Sequence, residues 1–114
     1  MIKVHQIKRD GTGKKPPLSF ILDFGRALAL VAVVMLRGSY KYARNNWKGG
    51  GPNAELPILL DSVMRHLVAR QCGEVHDLEM GTDHLANGCA GLLFALFHHG
   101  QEALPFNPPT KRRK

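Results

Sequence analysis

Apolar residues gather in three stretches, separated by polar and glycine-rich connections. The first runs from Leu18 to about Leu36 and reads ALALVAVVML from Ala27 onward, without a polar position. A helix apolar on nearly every side belongs at the centre of a domain or in a subunit interface. Gly38 is placed to cap it. The second stretch covers roughly residues 55 to 72, with Pro57 suited to a first helical turn, Asn53 near the N-cap and Gly73 as the stop. The third opens after Thr82, a capping residue, with Asp83 at its positive end, and runs to about His99 before Gly100. No stretch alternates as a strand would, and no segment repeats. The expected fold class is all-α, a helical bundle of about three to four main helices.

Projected at about 100° per residue, the third helix has two distinct stripes. Leu85, Cys89, Leu92, Leu93, Leu96 and Phe97 make a broad apolar face. His84, Asn87, Gly88, Gly91 and Ala95 make a second stripe, polar at its start and nearly without side chains beyond. Glycine inside a helix costs roughly 1 kcal/mol against alanine, so two on one stripe imply close approach, by a neighbouring helix or by a ligand. On the second helix Asp61 and Arg65 stand one turn apart, with His66 beside Arg65.

The connections set the domain organisation. Residues 1–17 form a basic arm, 18–100 the helical domain and 101–114 a Pro-rich basic tail. Ser39 to Asn53 is a long loop with three consecutive glycines, and loops of that length usually have a function. Between the second and third helices lies GEVHDLEMGTDHLANG, residues 73–88, with four acids and two histidines.

Charge changes the picture. The 114-residue chain has a formal net charge of +7, but the positive charge sits at the two ends. From Glu55 to Glu102 there are two Lys/Arg against seven Asp/Glu, a balance of −5. An acidic half suits divalent cations, and basic ends suit phosphates. A nucleic-acid binder relying on the arm and TKRRK is the rival reading, not favoured because the structured middle is not basic. Cys72 and Cys89, in a chain whose start is polar and basic, read as buried thiols in a reducing cytoplasm. The apolar run is shorter than the about 20 residues a bilayer needs, so no membrane partner is expected.

The candidate chemistry lies at the acidic bend. Glu74 and Asp77 have ExxD spacing, which on a helical turn sets two carboxylates on one side, and Glu79 and Asp83 lie within reach. Mg²⁺ accepts two or three carboxylates and keeps several waters. A solvated inter-helix loop is the bland alternative. His66, His76–Asp77 and Asp83 suggest the ligand order of the HD phosphohydrolases, but their spacing is too compressed for several helices to contribute.

Three blocks, RDGTGK, GSYKYARNNWKGG and MRHLVARQCGEVHDLEMGTDHLANGCAGLLFAL, occur in this order. Together, over roughly Lys8 to Phe97, they resemble the dATP/dGTP diphosphohydrolase N-terminal family of small phage and bacterial proteins. These are relatives of the MazG-like all-α pyrophosphohydrolases. The resemblance implies a MazG-like bundle completed by oligomerisation, and a homo-oligomer of two or more copies. It implies hydrolysis of a purine (deoxy)nucleoside triphosphate to monophosphate and pyrophosphate, with Mg²⁺ or Mn²⁺ as cofactor. The location would be the cytoplasm, a host's if the chain is phage-encoded. Where the MazG pattern has ExxE and then ExxD, this chain reads DSVMRH and HLAN, so His84 and Asn87 stand in place of Glu and Asp.

Cleavage at the α phosphorus requires charge neutralisation and an activated water. The expected metal ligands are Glu74, Asp77 and Asp83. His84, Glu79 and His66 are the candidate catalytic groups, His84 as base or ligand. Arg65 and Asn87 would contact substrate. On the resemblance, Lys14 and Lys41 would meet the polyphosphate, while Asn46 and Trp47 would recognise the base, an indole face stacking on a purine.

Overall fold

The computed structural model describes residues 15–41, with Lys41 through its backbone alone, and 48–110. Its elements are α1 (Ser19–Leu22), α2 (Gly25–Lys41), a 3-10 turn (Pro52–Ala54), α3 (Leu56–Gln71) and α4 (His84–His99). No strand occurs among the described residues, so the expected all-α class holds. Residues 1–14, 42–47 and 111–114 lie outside the described residues, and with them most of the basic arm and the last four tail residues.

The first apolar stretch is two helices rather than one. The amides of Phe20, Ile21 and Phe24 donate to Pro17, Leu18 and Ile21, at 3.0, 3.0 and 3.1 Å. These bonds close over three residues, tighter than the α-helical four, so the chain turns at Asp23–Phe24 before α2 begins. Gly38 does not end α2, which continues to Lys41. Nor is α2 central. Val31 is its one buried residue among those described, packed on Ala86 and Ala90 of α4 with Val34, Met35 and Phe94 around them. Leu30, Val33 and Leu36 are exposed.

Helices α3 and α4 form an antiparallel hairpin. Asn53 does not cap α3: Glu55 stands at that position without a side-chain cap, and Pro57 occupies the first turn as expected. On α4 the narrow stripe, not the broad one, meets α3. A Cβ on Gly88 would lie 3.5 Å from Leu67 Cδ2, and one on Gly91 only 2.7 Å from Val63 Cγ2. A helix, not a ligand, fills that groove. At the far end His99 Nε2 contacts the carbonyl of Ala54 at 2.7 Å.

The broad apolar face is consequently turned outward. Leu85 is 53% exposed and Leu96 65% exposed, with Leu92 and Leu93 also open. Cys72 and Cys89 are both exposed, which corrects the expectation of buried thiols. Cys72 ends α3, and Cys89 shares the outward face of α4. The hydrophobic residues buried among those described are two valines and three alanines: Val31, Val63, Ala86, Ala90 and Ala95.

Candidate functional site

The bend between α3 and α4 is a tight hairpin loop, not a helical turn. Gly73 takes φ 98°, the left-handed conformation that lets the chain leave α3. The Asp77 amide donates to Thr82 O at 2.8 Å and the His84 amide to Val75 O at 3.0 Å, bridging His76 and Asp83 in antiparallel fashion. At the tip, Asp77 Oδ1 accepts from the amides of Glu79 (2.8 Å) and Met80 (3.3 Å), the side-chain turn that aspartate favours. Gly81, at φ 69°, completes the reversal. The helical geometry expected of Glu74 and Asp77 is therefore corrected: the glycines at 73 and 81 impose a hairpin, and ExxD spacing no longer sets both carboxylates on one helical face.

Arg37 holds this loop from the side. Its Nη1 donates to Met80 O at 2.9 Å and lies 2.8 Å from where a Gly81 Cβ would stand. Nothing in the sequence pairs Arg37 with a carbonyl 43 residues away.

The start of α4 is strongly capped. Asp83, not Thr82, is the N-cap, its Oδ1 accepting from the amides of Leu85 (2.7 Å) and Ala86 (3.2 Å). Thr82 is buried and accepts at Oγ1 from Asn87 Nδ2 at 2.7 Å, and the same nitrogen reaches Asp83 O at 3.0 Å. Asn87 thus ties the first turn of α4 to the bend.

One polar chain crosses from the bend to α3. Glu74 Oε1 lies 2.8 Å from His84 Nε2, and His84 Nδ1 lies 2.9 Å from His66 Nδ1. The two imidazoles are tilted, with ring centroids 5.1 Å apart. His84 is 5% exposed, His66 is half-buried and Glu74 is exposed. Burial, then the neighbouring His84, pushes the His66 pKa below its ordinary value, while Asp77 pulls it back up. So the structure joins Glu74, His84 and His66, with Asp77 near enough to be felt.

The other sequence-derived candidates are placed less closely. Arg65 pairs with Asp61 one turn earlier on the exposed side of α3. Glu79 is exposed at the tip of the bend. Lys14, Asn46 and Trp47 lie outside the described residues, as does the side chain of Lys41.

Among the described residues, no three His, Cys, Asp or Glu side chains form a group that could hold a metal. Glu74 faces His84, Asp77 organises the bend and Asp83 caps α4. These residues do not fit a metal held by the chain alone. An ion that keeps its waters and is carried on phosphates asks for only one or two carboxylates.

The sequence profile of the family described as dATP/dGTP diphosphohydrolase, N-terminal, matches residues 5–104. The chain belongs to that family. A relative from Salmonella phage PMBT28, a dATP/dGTP diphosphohydrolase, is 39% identical over 80 residues, which is 70% of this chain and 26% of the relative. The chain thus spans about a quarter of that relative's length. No solved structure matches. The family match encloses the four α-helices of the described residues, the bend and the three residues of the Glu74–His84–His66 chain. No helix among the described residues is long and apolar enough to cross a membrane.

Proposed function

We propose that this chain hydrolyses purine deoxynucleoside triphosphates between the α and β phosphates, giving a monophosphate and pyrophosphate, at the bend between α3 and α4. The observation that carries the reading is the Glu74–His84–His66 hydrogen-bonded chain, set at the bend of a protein whose family takes its description from dATP and dGTP diphosphohydrolysis. Histidines joined to a carboxylate supply the proton acceptor that attack by water requires.

Mg²⁺ or Mn²⁺ carried in on the triphosphate would supply charge neutralisation, and Asp77 is the carboxylate that would meet it. Arg65, Asn87, Lys14, Lys41, Asn46 and Trp47 are the proposed contacts for the phosphates and base.

The reading includes a homo-oligomer. Leu85, Cys89, Leu92 and Leu96 recur at alternating steps of four and three residues along the outward face of α4, the spacing of a helix–helix seam. Exposed apolar surface of this kind marks an association site.

Incubating the purified chain with each deoxynucleoside triphosphate and Mg²⁺, then separating the products, tests the activity. Pyrophosphate and monophosphate from dATP or dGTP are expected. Release of inorganic phosphate, or of intact triphosphate, contradicts the reading.

A further inference from the structure

The direction of the polar chain follows from its hydrogen positions. A carboxylate only accepts hydrogen bonds, so the hydrogen in the 2.8 Å contact belongs to His84 Nε2. A neutral His84 then presents a bare Nδ1. The facing nitrogens of His84 and His66 are 2.9 Å apart, room for one hydrogen between them and not two. With His84 neutral, that hydrogen sits on His66 Nδ1 and points at His84. A neutral His66 is left with a bare Nε2, and that nitrogen has no hydrogen-bond partner among the described residues.

We infer that His66 Nε2 is the atom that accepts the proton of the attacking water, and that His84 and Glu74 are positioning residues which fix its tautomer and receive its charge. This rests on the hydrolase reading above. His84 itself is buried, with both ring nitrogens engaged, so it does not meet water. His66, half-buried, is the more accessible of the two.

In the step, a water O–H gives its proton to His66 Nε2 as the oxygen bonds to the α phosphorus. His66 Nδ1 passes its proton across to His84 Nδ1. His84 then carries hydrogens on both nitrogens, its positive charge set against the Glu74 carboxylate. The bond from the α phosphorus to the bridging oxygen breaks, and pyrophosphate leaves with that electron pair. The proton returns to solvent when His84 hands it back. Both states use the same contacts, so no side chain has to move. A carboxylate that holds a histidine in one tautomer and stabilises its cation is an established device for general-base chemistry.

The test is long-range ¹H–¹⁵N NMR of the histidine rings in the full-length chain, with turnover measured alongside. His66 in its Nδ1–H tautomer and His84 in its Nε2–H tautomer are expected at neutral pH. Glu74→Gln is expected to lower kcat on the order of 10²-fold with KM unchanged, and to let the His84 ring sample both tautomers. His66 carrying its hydrogen on Nε2 overturns the inference. So do histidine shifts that change on adding a chelator, which would place a metal between the two Nδ1 atoms. If the tautomers are as stated but no nucleotide is turned over, the hydrolase reading fails and the hydrogen-bond assignment stands.

Discussion

His66 Nδ1 on α3 lies 2.9 Å from His84 Nδ1 at the start of α4, joining two residues 18 positions apart in the sequence. The His84 imidazole is near enough for its charge to bear on His66. The His66 pKa is depressed, by burial first and by His84 second, and Asp77 opposes both. Asp77→Asn is therefore expected to depress it further, read by NMR titration of the His66 ring. The sign for stability follows from linkage. The folded chain holds its proton on His66 less tightly than the unfolded chain. Its contribution to stability is full above the ordinary histidine value and lost as pH falls from there through the depressed folded value. An unchanged or raised His66 pKa in Asp77→Asn would contradict this picture.

The two helix glycines on α4 should respond differently to alanine. At Gly91 the new Cβ would sit 2.7 Å from Val63 Cγ2, and a β-branched side chain cannot swing away cheaply. Gly91→Ala should cost about 1–3 kcal/mol by overpacking, and Val63→Ala in the same chain should recover part of it. At Gly88 the nearest atom is Leu67 Cδ2 at an ordinary 3.5 Å. Gly88→Ala should be neutral or stabilise by up to about 1 kcal/mol. Denaturant melts of the three variants decide it, and equal effects at both glycines would rule out the close approach at Gly91.

How the sequence declared this hairpin is instructive. The glycine stripe was legible because 100° spacing aligns Gly88 and Gly91 whatever packs on them, but only the structure distinguishes Val63 from a ligand. Helices α3 and α4 were legible from Pro57, Gly73 and Gly100, since those residues act locally. The break at Asp23–Phe24 was not, because a three-residue hydrogen-bond pattern leaves no mark on apolar spacing. At the site, Glu74 and Asp77 were picked out by the acid cluster and their spacing, and His66 and His84 by their places on the second and third helices. Their arrangement was hidden, since it depends on positive φ at Gly73 and Gly81 and on Arg37 reaching Met80 from another helix.

Asp83 caps α4 with two backbone bonds from one carboxylate oxygen. Asp83→Ala should destabilise the chain by about 1 kcal/mol, and Asp83→Asn much less, because the amide oxygen still accepts. Thermal melts of both check this. Equal losses would assign the effect to charge at the helix end rather than to the hydrogen bonds.

The outward seam of α4 should be where copies of the chain meet. Leu92→Glu with Leu96→Glu is expected to lower the sedimentation mass toward that of one chain without loss of helical circular dichroism. A wild-type chain that sediments as a monomer at all concentrations, or a double variant with undiminished mass, would remove this surface from the account.

The most direct measurement is the turnover of dATP and dGTP with Mg²⁺ by the wild-type chain and by His66→Gln, with products identified and folding checked by circular dichroism. The account predicts monophosphate and pyrophosphate from the wild type, and a rate lower by about 10²-fold or more in the folded variant. A folded His66→Gln that works at the wild-type rate, or a wild-type chain that splits neither nucleotide, would contradict it.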